Sequence, residues 1–528
     1  PDANSGGMGV AKINGANGGG AYQSTTSTST STNTTDYYYG ETNWVMYGDG
    51  IVHNATFVGG TGSGMGSPSY PQIWGIGIDL DSDPKTITYY IDGSSVGSAN
   101  LDSGFDYIPI VGDGSGAVSR TIHINFGQNP TFNGTETAGT NTDGNGNGLF
   151  HDSVPSGYLA LCSANLPDVT VGPDSTSQAD DHFNTVLYSG DNGTQSVTGV
   201  GFKPDFLWIK SRNVNASHTL FDSTRGVTKS LFTNVTSLEV EYSSSSGNGE
   251  GVTTFGSDGF TVKHDATNNQ FNVSSRTYAA FNWKANGGTT TTNDASSTGI
   301  GTIDSVFQAN DDAGFSIVTY TGTGSAGTVR HGLSVAPSLV IIKSRTTASP
   351  SNWVIGQDQS GFTGQNYFTD TSAFGTNSGS FNNTAPTTSV VSIGTDQTTN
   401  GNTATYVMYC FANVEGFCKI GSYEMNSNVD GPLVYTGFRP AWLLTRPVDQ
   451  AGNWSIYDTV REPFNDGDND MFFVESTSAE SGFGTSAVDF VSNGFKIRHY
   501  SAGYSNIASN TAIYMAFAEQ PFKFSNAR

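Results

Sequence analysis

A chain of 528 residues is too long for a single hydrophobic core, and its length sets an expectation of about three or four domains. Only 13% of residues are charged and the net charge is −24, spread along the chain, which disfavours a nucleic-acid or anionic-membrane partner because either would want a basic face. Three cysteines, Cys162, Cys410 and Cys418, cannot make a disulfide framework, and no apolar run approaches the roughly 18 residues of a membrane helix.

Apolar patches are short and bounded by Gly, Asn, Asp or Pro, with no sustained helical period, and aromatics reach 12%. That pattern predicts an all-β chain of tandem, jelly-roll-like β-sandwiches. The chain opens on Pro1 with no initiator Met, and the expectation is that a preceding part has been cut away. After Met8-Gly-Val-Ala comes a Ser/Thr tract from Ser24 to Thr35, read as a loop or a solvated strand. Tyr37, Tyr39 and Trp44 follow; such a cluster packs a β core or forms a binding platform, because Tyr and Trp give contact area at low entropic cost.

Trp74 to Asp81 alternates apolar with small or polar residues, as a half-buried strand does, and Thr86 to Ile91 returns beside it. Asp92-Gly93 then offers a hairpin turn that tolerates positive φ. Tyr107-Ile-Pro-Ile-Val111 and Thr121-Ile-His-Ile-Asn-Phe-Gly-Gln128 complete the series. In order, these motifs resemble the SPRY (B30.2) domain: Asp-Leu-Asp after an apolar strand, an aromatic hairpin strand, a proline strand and a closing Asn-Phe-Gly-Gln. The resemblance implies a β-sandwich binding module over residues 1–155, with part of its early strands before Pro1.

Asp143, Asn145 and Asn147 place oxygens at alternate positions, like the first half of a calcium loop, but the twelfth position is Val154 rather than Glu. Asp466, Asp468 and Asp470 repeat the alternation without a completing ligand. A structural Ca²⁺ is the only cofactor these loops suggest, and a plain loop accounts for either. Residues 156–180 read as a linker.

Beyond it, one unit recurs three times, over 181–295, 300–414 and 415–528. Each copy has a proline that starts an apolar strand ending on a cation: Pro204 to Lys210, Pro337 to Lys343 and Pro440 to Arg446. The cation is expected to end the buried run at the rim of the sandwich. Each copy ends on a small-aromatic strand carrying Phe281, Phe411 or Phe517, which lie 77, 74 and 77 residues after the proline. A Tyr-Ser/Thr-Gly strand end opens each copy at Tyr188, Tyr320 and Tyr435, although Tyr423 competes for that role in the third. Asp222 with Arg225, and Asp458 with Arg461, lie three apart, which predicts a bond from each Asp to a turn backbone; the middle copy has Gln357 and no arginine.

The eight histidines are scattered singly, with no metal spacing, nucleophile elbow or phosphate loop. Glu239 with Glu241, Asp311 with Asp312 and Asp205 with Asp222 are formal glycosidase pairs, but no sugar platform flanks them. The segment Leu161-Cys-Ser-Ala-Asn-Leu-Pro167 after a SPRY-like domain, Asp430-Gly-Pro-Leu-Val-Tyr-Thr-Gly-Phe-Arg-Pro440 and Ile513-Tyr-Met-Ala-Phe-Ala-Glu-Gln-Pro-Phe522 together resemble bacteriophage tail-fibre and virion-fibre proteins. The resemblance implies a non-enzymatic, commonly homotrimeric virion protein. Such a protein binds a host-surface glycan or protein through its loops, joins other tail or capsid proteins through its N-terminus, and ends at or near Arg528. Tyr500 and Tyr504 are the expected receptor contacts. A purely structural virion component is the alternative. A polysaccharide-degrading tailspike fits less well, because the coils of its solenoid are far shorter than these units.

Overall fold

The computed structural model describes residues 7–12, 43–47, 50–53, 56–60, 73–101, 107–112, 123–165, 171–172, 175–243, 250–264, 270–347, 351–465, 467, 469–482, 488–498, 506 and 510–520. The chain divides into two compact units, residues 1–168 and 169–528. Both are built of antiparallel sheets, as the turn-rich sequence predicts, and α-helix among the described residues is confined to three single turns, Ala295–Thr298, Ser378–Phe381 and Gln397–Asn400. None of these is long enough to cross a membrane.

In the first unit, Trp74–Asp79, Thr86–Ile91 and Ser94–Asn100 form a three-stranded meander. Trp74 lies opposite Ile91 and Asp79 opposite Thr86, the expected pairing. Asp92 and Gly93 take φ of 47° and 76°, so both turn residues are left-handed, as a tight hairpin requires. A five-stranded sheet runs in the order Thr56–Gly60, Gly50–His53, Asn43–Tyr47, Gly7–Lys12, Tyr107–Gly112. Val10 from that sheet is buried in one cluster with Ile87, Tyr89 and Ile91 of the meander. Asn125-Phe-Gly-Gln128 is a loop, not a strand: Asn125 Oδ1 accepts the backbone N–H groups of Gly127 (2.8 Å) and Asn129 (2.9 Å), a local bond that displaces sheet pairing.

The second unit repeats one arrangement three times. Each copy has a large sheet with the same strand order. It runs from an opening strand (Phe183–Ser189, Phe315–Thr321, Cys418–Glu424) to a closing strand (Thr277–Trp283, Thr405–Phe411, Thr511–Ala518). Next come the proline strand (Phe206–Ser211, Leu339–Ser344, Pro440–Pro447) and a return strand (Thr219–Asp222, Trp353–Gln357, Ser455–Asp458). An outer strand finishes it (Lys229–Phe232, Gly364–Tyr367, Phe472–Phe473). Phe206 pairs with Trp283, Leu339 with Phe411 and Trp442 with Phe517, so Trp283, not Phe281, is the counterpart of Phe411 and Phe517. A small sheet covers one face of each large sheet: Thr194–Thr198 with Gly259–Lys263 and Val252–Gly256; Gly327–Arg330 with Val390–Ile393; Leu433–Tyr435 with Gly494–Ile497 and Val488–Val491.

A strand turns alternate residues to opposite faces, and here both faces are buried. Leu207 and Ile209 face their own small sheet, in a cluster with Val197, Phe260 and Val262; Val340 and Ile342 do the same with Val329, Val391 and Ile393. The alternate residues Phe206 and Trp208, Leu339 and Ile341, Trp442 and Leu444 enter one cluster common to all three copies. Trp442 sits among rings of the first copy, 5.5 Å from Trp283 and 6.2 Å from Phe183, and Phe206 lies 4.6 Å from Tyr409 of the second. The three copies are therefore tandem sandwiches that share one core, beside the separate clusters inside the first and second.

Trp442→Ala removes the ring that joins the first and third copies and is expected to cost about 3–5 kcal/mol. A calorimetric scan of residues 169–528 is expected to show the three copies melting in one transition, shifted down as a whole by the substitution. Three separable transitions would contradict the shared core.

Candidate functional site

The chemistry-bearing side chains of the second unit concentrate at the three contacts between copies, which close cyclically. Glu480 N–H donates to Arg212 O (2.8 Å), Glu239 N–H to Arg345 O (3.2 Å) and Phe374 N–H to Val448 O (2.8 Å), joining third copy to first, first to second and second to third. The ring at the head of each return strand repeats the circuit. Trp353 Nε1 donates to Phe232 O and Trp454 Nε1 to Tyr367 O, both at 2.7 Å. His218 takes the third place: its Nδ1 accepts from Trp208 Nε1 at 2.9 Å, so its proton sits on Nε2, the edge directed at the Phe473 backbone.

The expected Asp-to-turn bonds are present, at 2.8 Å from Arg225 N–H to Asp222 and 2.9 Å from Arg461 N–H to Asp458. The turn also brings each pair into direct contact, with both side chains fully buried. Glu239 then bridges Arg225 (3.0 Å) and Arg345 of the next copy (2.7 Å), while Glu480 bridges Arg461 (3.3 Å) and Arg212 (2.8 Å). Burial raises the Glu239 pKa, but the two guanidiniums outweigh it and hold the carboxyl below its ordinary value. At the remaining contact Gln357, Phe374 and Val448 occupy the corresponding places, and no ion pair forms among them.

Lys210, Lys343 and Arg446 do not mark a rim. All three are fully buried, because each proline strand runs on under a neighbouring element. Lys210 Nζ donates to Ser211 O (3.1 Å) and to Thr477 O of the third copy (3.2 Å). Lys343 donates to Ser351 Oγ (2.7 Å) and to its carbonyl. Arg446 reaches the carbonyls of Tyr367 (2.8 Å), Asp370 and Ser372 in the second copy. Burial presses both lysines down to about 7 and Arg446 to about 10, and pushes Glu475 up to about 7. Five of the six carboxylates in the formal pairs, Asp312 apart, are likewise engaged in holding the fold. Asp205 accepts from Ser223 Oγ (2.6 Å), Ala285 N–H (2.8 Å) and Gly287 N–H (2.7 Å), and Glu241 accepts from Thr228 Oγ1 (2.6 Å). Asp311 takes Ser334 N–H at 2.8 Å.

Of the residues expected to bind calcium, Asp143, Asn145 and Asn147 come together, but as a hydrogen-bonded loop. Asp143 Oδ1 accepts from the N–H groups of Asn145 (2.9 Å) and Asn147 (2.8 Å), and Oδ2 from Ala160 N–H (2.8 Å) and Asn165 Nδ2 (2.5 Å). Asn145 and Asn147 turn their amide N–H groups to Asn165 Oδ1, at 3.0 and 2.8 Å. Donors thus occupy the positions a cation would need. Burial works against the Asp143 charge, yet these donors hold its pKa below the ordinary value. Asp466 and Asp468 lie outside the described residues, and Asp470 contributes its carbonyl to Arg461 at 3.2 Å. Among the described residues no group of three or more His, Cys, Asp or Glu side chains could hold a metal. Tyr37, Tyr39, Tyr500 and Tyr504 also fall outside the described residues; Trp44 lies in the strand Asn43–Tyr47, opposite Val10.

Tyr435 has a different place from the one its motif suggested. Tyr188 stacks on Tyr278 at 4.8 Å and Tyr320 on Tyr406 at 5.1 Å, and the buried residue at that position in the third copy is Tyr423, opposite Ala512. Tyr435 instead lies on the small sheet and is 65% exposed, with Leu433 beside it at 60%. The valine-bearing strands correspond by register through one inward valine, Val197, Val329 or Val434, which pairs with Phe260, Val391 or Phe495. At the positions of Leu433 and Tyr435 the first copy carries Ser196 and Thr198, and the second Thr328 and Arg330. Two copies thus build this strand with polar outward residues, so its apolar surface in the third is not a demand of the fold. Aligning the three Val-centred strands would have singled out Tyr435; the Tyr-Thr-Gly motif pointed elsewhere.

The architecture defines an all-β protein whose larger unit is a cyclic triplet of two-sheet sandwiches. Residues 178–521, about two thirds of the chain, match the family described as a domain of unknown function (DUF7483), and the chain belongs to that family. No curated protein matches the sequence.

Two outcomes test this account. The ordinary lysine pKa is 10.5 and the folded value for Lys210 and Lys343 is about 7, so between those limits the unfolded chain binds more protons than the folded one. Unfolding free energy is therefore expected to rise with pH through that window, the burial penalty being fully present below pH 7, and Lys343→Met is expected to flatten the rise. Urea denaturation across the window checks this; an unchanged slope in the variant would contradict it. Separately, neither chelator nor added calcium is expected to move the melting temperature of the first unit, whereas Asp143→Ala is expected to lower it.

Proposed function

We propose that this chain is a bacteriophage tail-fibre or related virion-surface protein that docks on the host cell without enzymatic action. The observation that carries the reading is the solvent-facing Leu433 and Tyr435 on the third copy's small sheet, where the other copies place Ser196, Thr198, Thr328 and Arg330. A rigid sandwich that presents apolar contact residues on one outward face suits recognition, since the scaffold holds while the surface varies. The buried charges support the same reading: Glu239, Glu480, Lys210 and Arg446 are spent on contacts between copies, and Asp205 and Lys343 on bonds within their own. On the resemblance to phage fibres, the assembled form is a homotrimer in the virion, joined to other tail or capsid proteins through the N-terminal side, and the SPRY-like unit is a second binding module.

Labelled protein is expected to be retained on cells of a susceptible bacterial strain and to lose that retention when surface polysaccharide is stripped. Absence of retention on every strain that hosts related phages would instead favour a purely structural virion role. Release of reducing sugar from the polysaccharide would favour a depolymerase.

A further inference from the structure

We propose that the outward face of the third copy's small sheet is a saccharide-binding site, with Tyr435 as the stacking platform. The proposal rests on the receptor-binding reading and names the ligand class and the residue.

The strand Leu433–Tyr435 pairs with Gly494–Ile497, which pairs in turn with Val488–Val491. Val434, Phe495 and Ile497 point inward and are buried, so Leu433, Tyr435 and Lys496 share the outward face. Tyr435 lies opposite Gly494, so no side chain from the neighbouring strand rises beside its ring. Along one side runs a strip of charge of both signs: Lys496 Nζ lies 2.6 Å from Asp430, and Arg498 lies 3.7 Å from Asp430 and 3.4 Å from Asp489. On the other side Gly437, at φ +88°, leaves open the space between the Tyr435 hydroxyl and the Glu415 carboxylate, which stand 3.8 and 3.5 Å from where its Cβ would be.

This pattern matches a sugar ring. A pyranose offers an apolar C–H face to an aromatic ring and a rim of hydroxyls that both donate and accept, needs that mixed charges nearby can meet. It does not match a protein partner. A stable protein interface uses roughly 800 Å² and about 20–30 residues a side around an apolar centre. Among the described residues the exposed apolar side chains on this strand and the loop leading to it are Leu433, Tyr435 and Val429. The first copy's small sheet acts as a built-in control, since it has three strands and pairs Thr198 with Gly259 as the third pairs Tyr435 with Gly494.

The test uses the full chain on an array of bacterial capsular and lipopolysaccharide oligosaccharides, and on intact cells. Wild type is expected to bind a subset of the array. Tyr435→Ala is expected to weaken that binding at least about tenfold, about 1.4 kcal/mol. Tyr435→Phe, which keeps the ring, is expected to retain most of the affinity, and Thr198→Ala at the matching position of the first copy is expected to change nothing. Equal melting temperatures would show that the variants fold. If Tyr435→Ala binds array and cells as wild type does, receptor binding stands and this site is wrong. If its loss of cell retention persists on cells stripped of polysaccharide, the ligand is a protein and the saccharide assignment falls. If wild type binds neither array nor cells, the receptor-binding reading fails and takes the site with it.

Discussion

Each large sheet of the second unit has two apolar faces and only one small sheet to cover them. Exposed, the face bearing Phe206 and Trp208, or Trp442 and Leu444, would leave a broad apolar surface of the kind that soluble monomers rarely show. Three copies solve the problem together, each turning its second face to the other two. Trp442, packed among Phe183, Trp208, Phe281, Trp283 and Phe517, joins the third copy to the first, and Phe206 against Tyr409 joins the first to the second. The same requirement explains why the unit is triplicated: one sandwich could not bury its own aromatics.

Hydrophobic burial is non-directional, so by itself it does not say which copy follows which around the core. The polar contacts do. Glu239 selects Arg345 and Glu480 selects Arg212, while the third contact replaces that chemistry with Phe374 against Val448. Buried ion pairs add little net stability against well-packed apolar residues, but a mispaired buried guanidinium is costly. Two contacts made by ion pairs and a third made by Arg446 on backbone carbonyls therefore set the cyclic order, and the ring N–H bonds of Trp353 and Trp454 follow the same circuit.

Much of the fold was legible in advance. The Asp92-Gly93 hairpin, the pairing of Trp74–Asp79 with Thr86–Ile91, the three proline strands and the Asp-to-turn bonds at Asp222 and Asp458 all follow from local rules of turn chemistry and alternation. What sequence reading missed has a common cause. Lys210, Lys343 and Arg446 read as rim residues because a terminal cation usually ends a buried run. Here each is covered: Lys210 and Arg446 are bonded to carbonyls of the neighbouring copy, and Lys343 to Ser351 in the loop that follows its own strand. The Asp143 loop carries calcium-like spacing, but Asn165, about twenty residues on, organises it by donating to Asp143 and accepting from Asn145 and Asn147. The candidate site was the least legible part: Tyr435 carries the same motif as two buried tyrosines, and only pairing with Gly494 rather than the closing strand sets it apart.

By itself the sequence determined the strand content, the threefold repetition of one unit and the turns within each copy, because alternation, proline and positive-φ residues act over a few neighbours. Only the tertiary structure decided that both faces of the large sheets are buried, that three cations lie inside, and that Tyr423 is covered while Tyr435 meets solvent. Those outcomes depend on pairings beyond the local sequence, since a neighbouring copy covers Lys210 and Arg446 while Tyr423 meets Ala512 and Tyr435 meets Gly494 of its own copy, and a period of two residues describes a strand's faces without saying what will cover them.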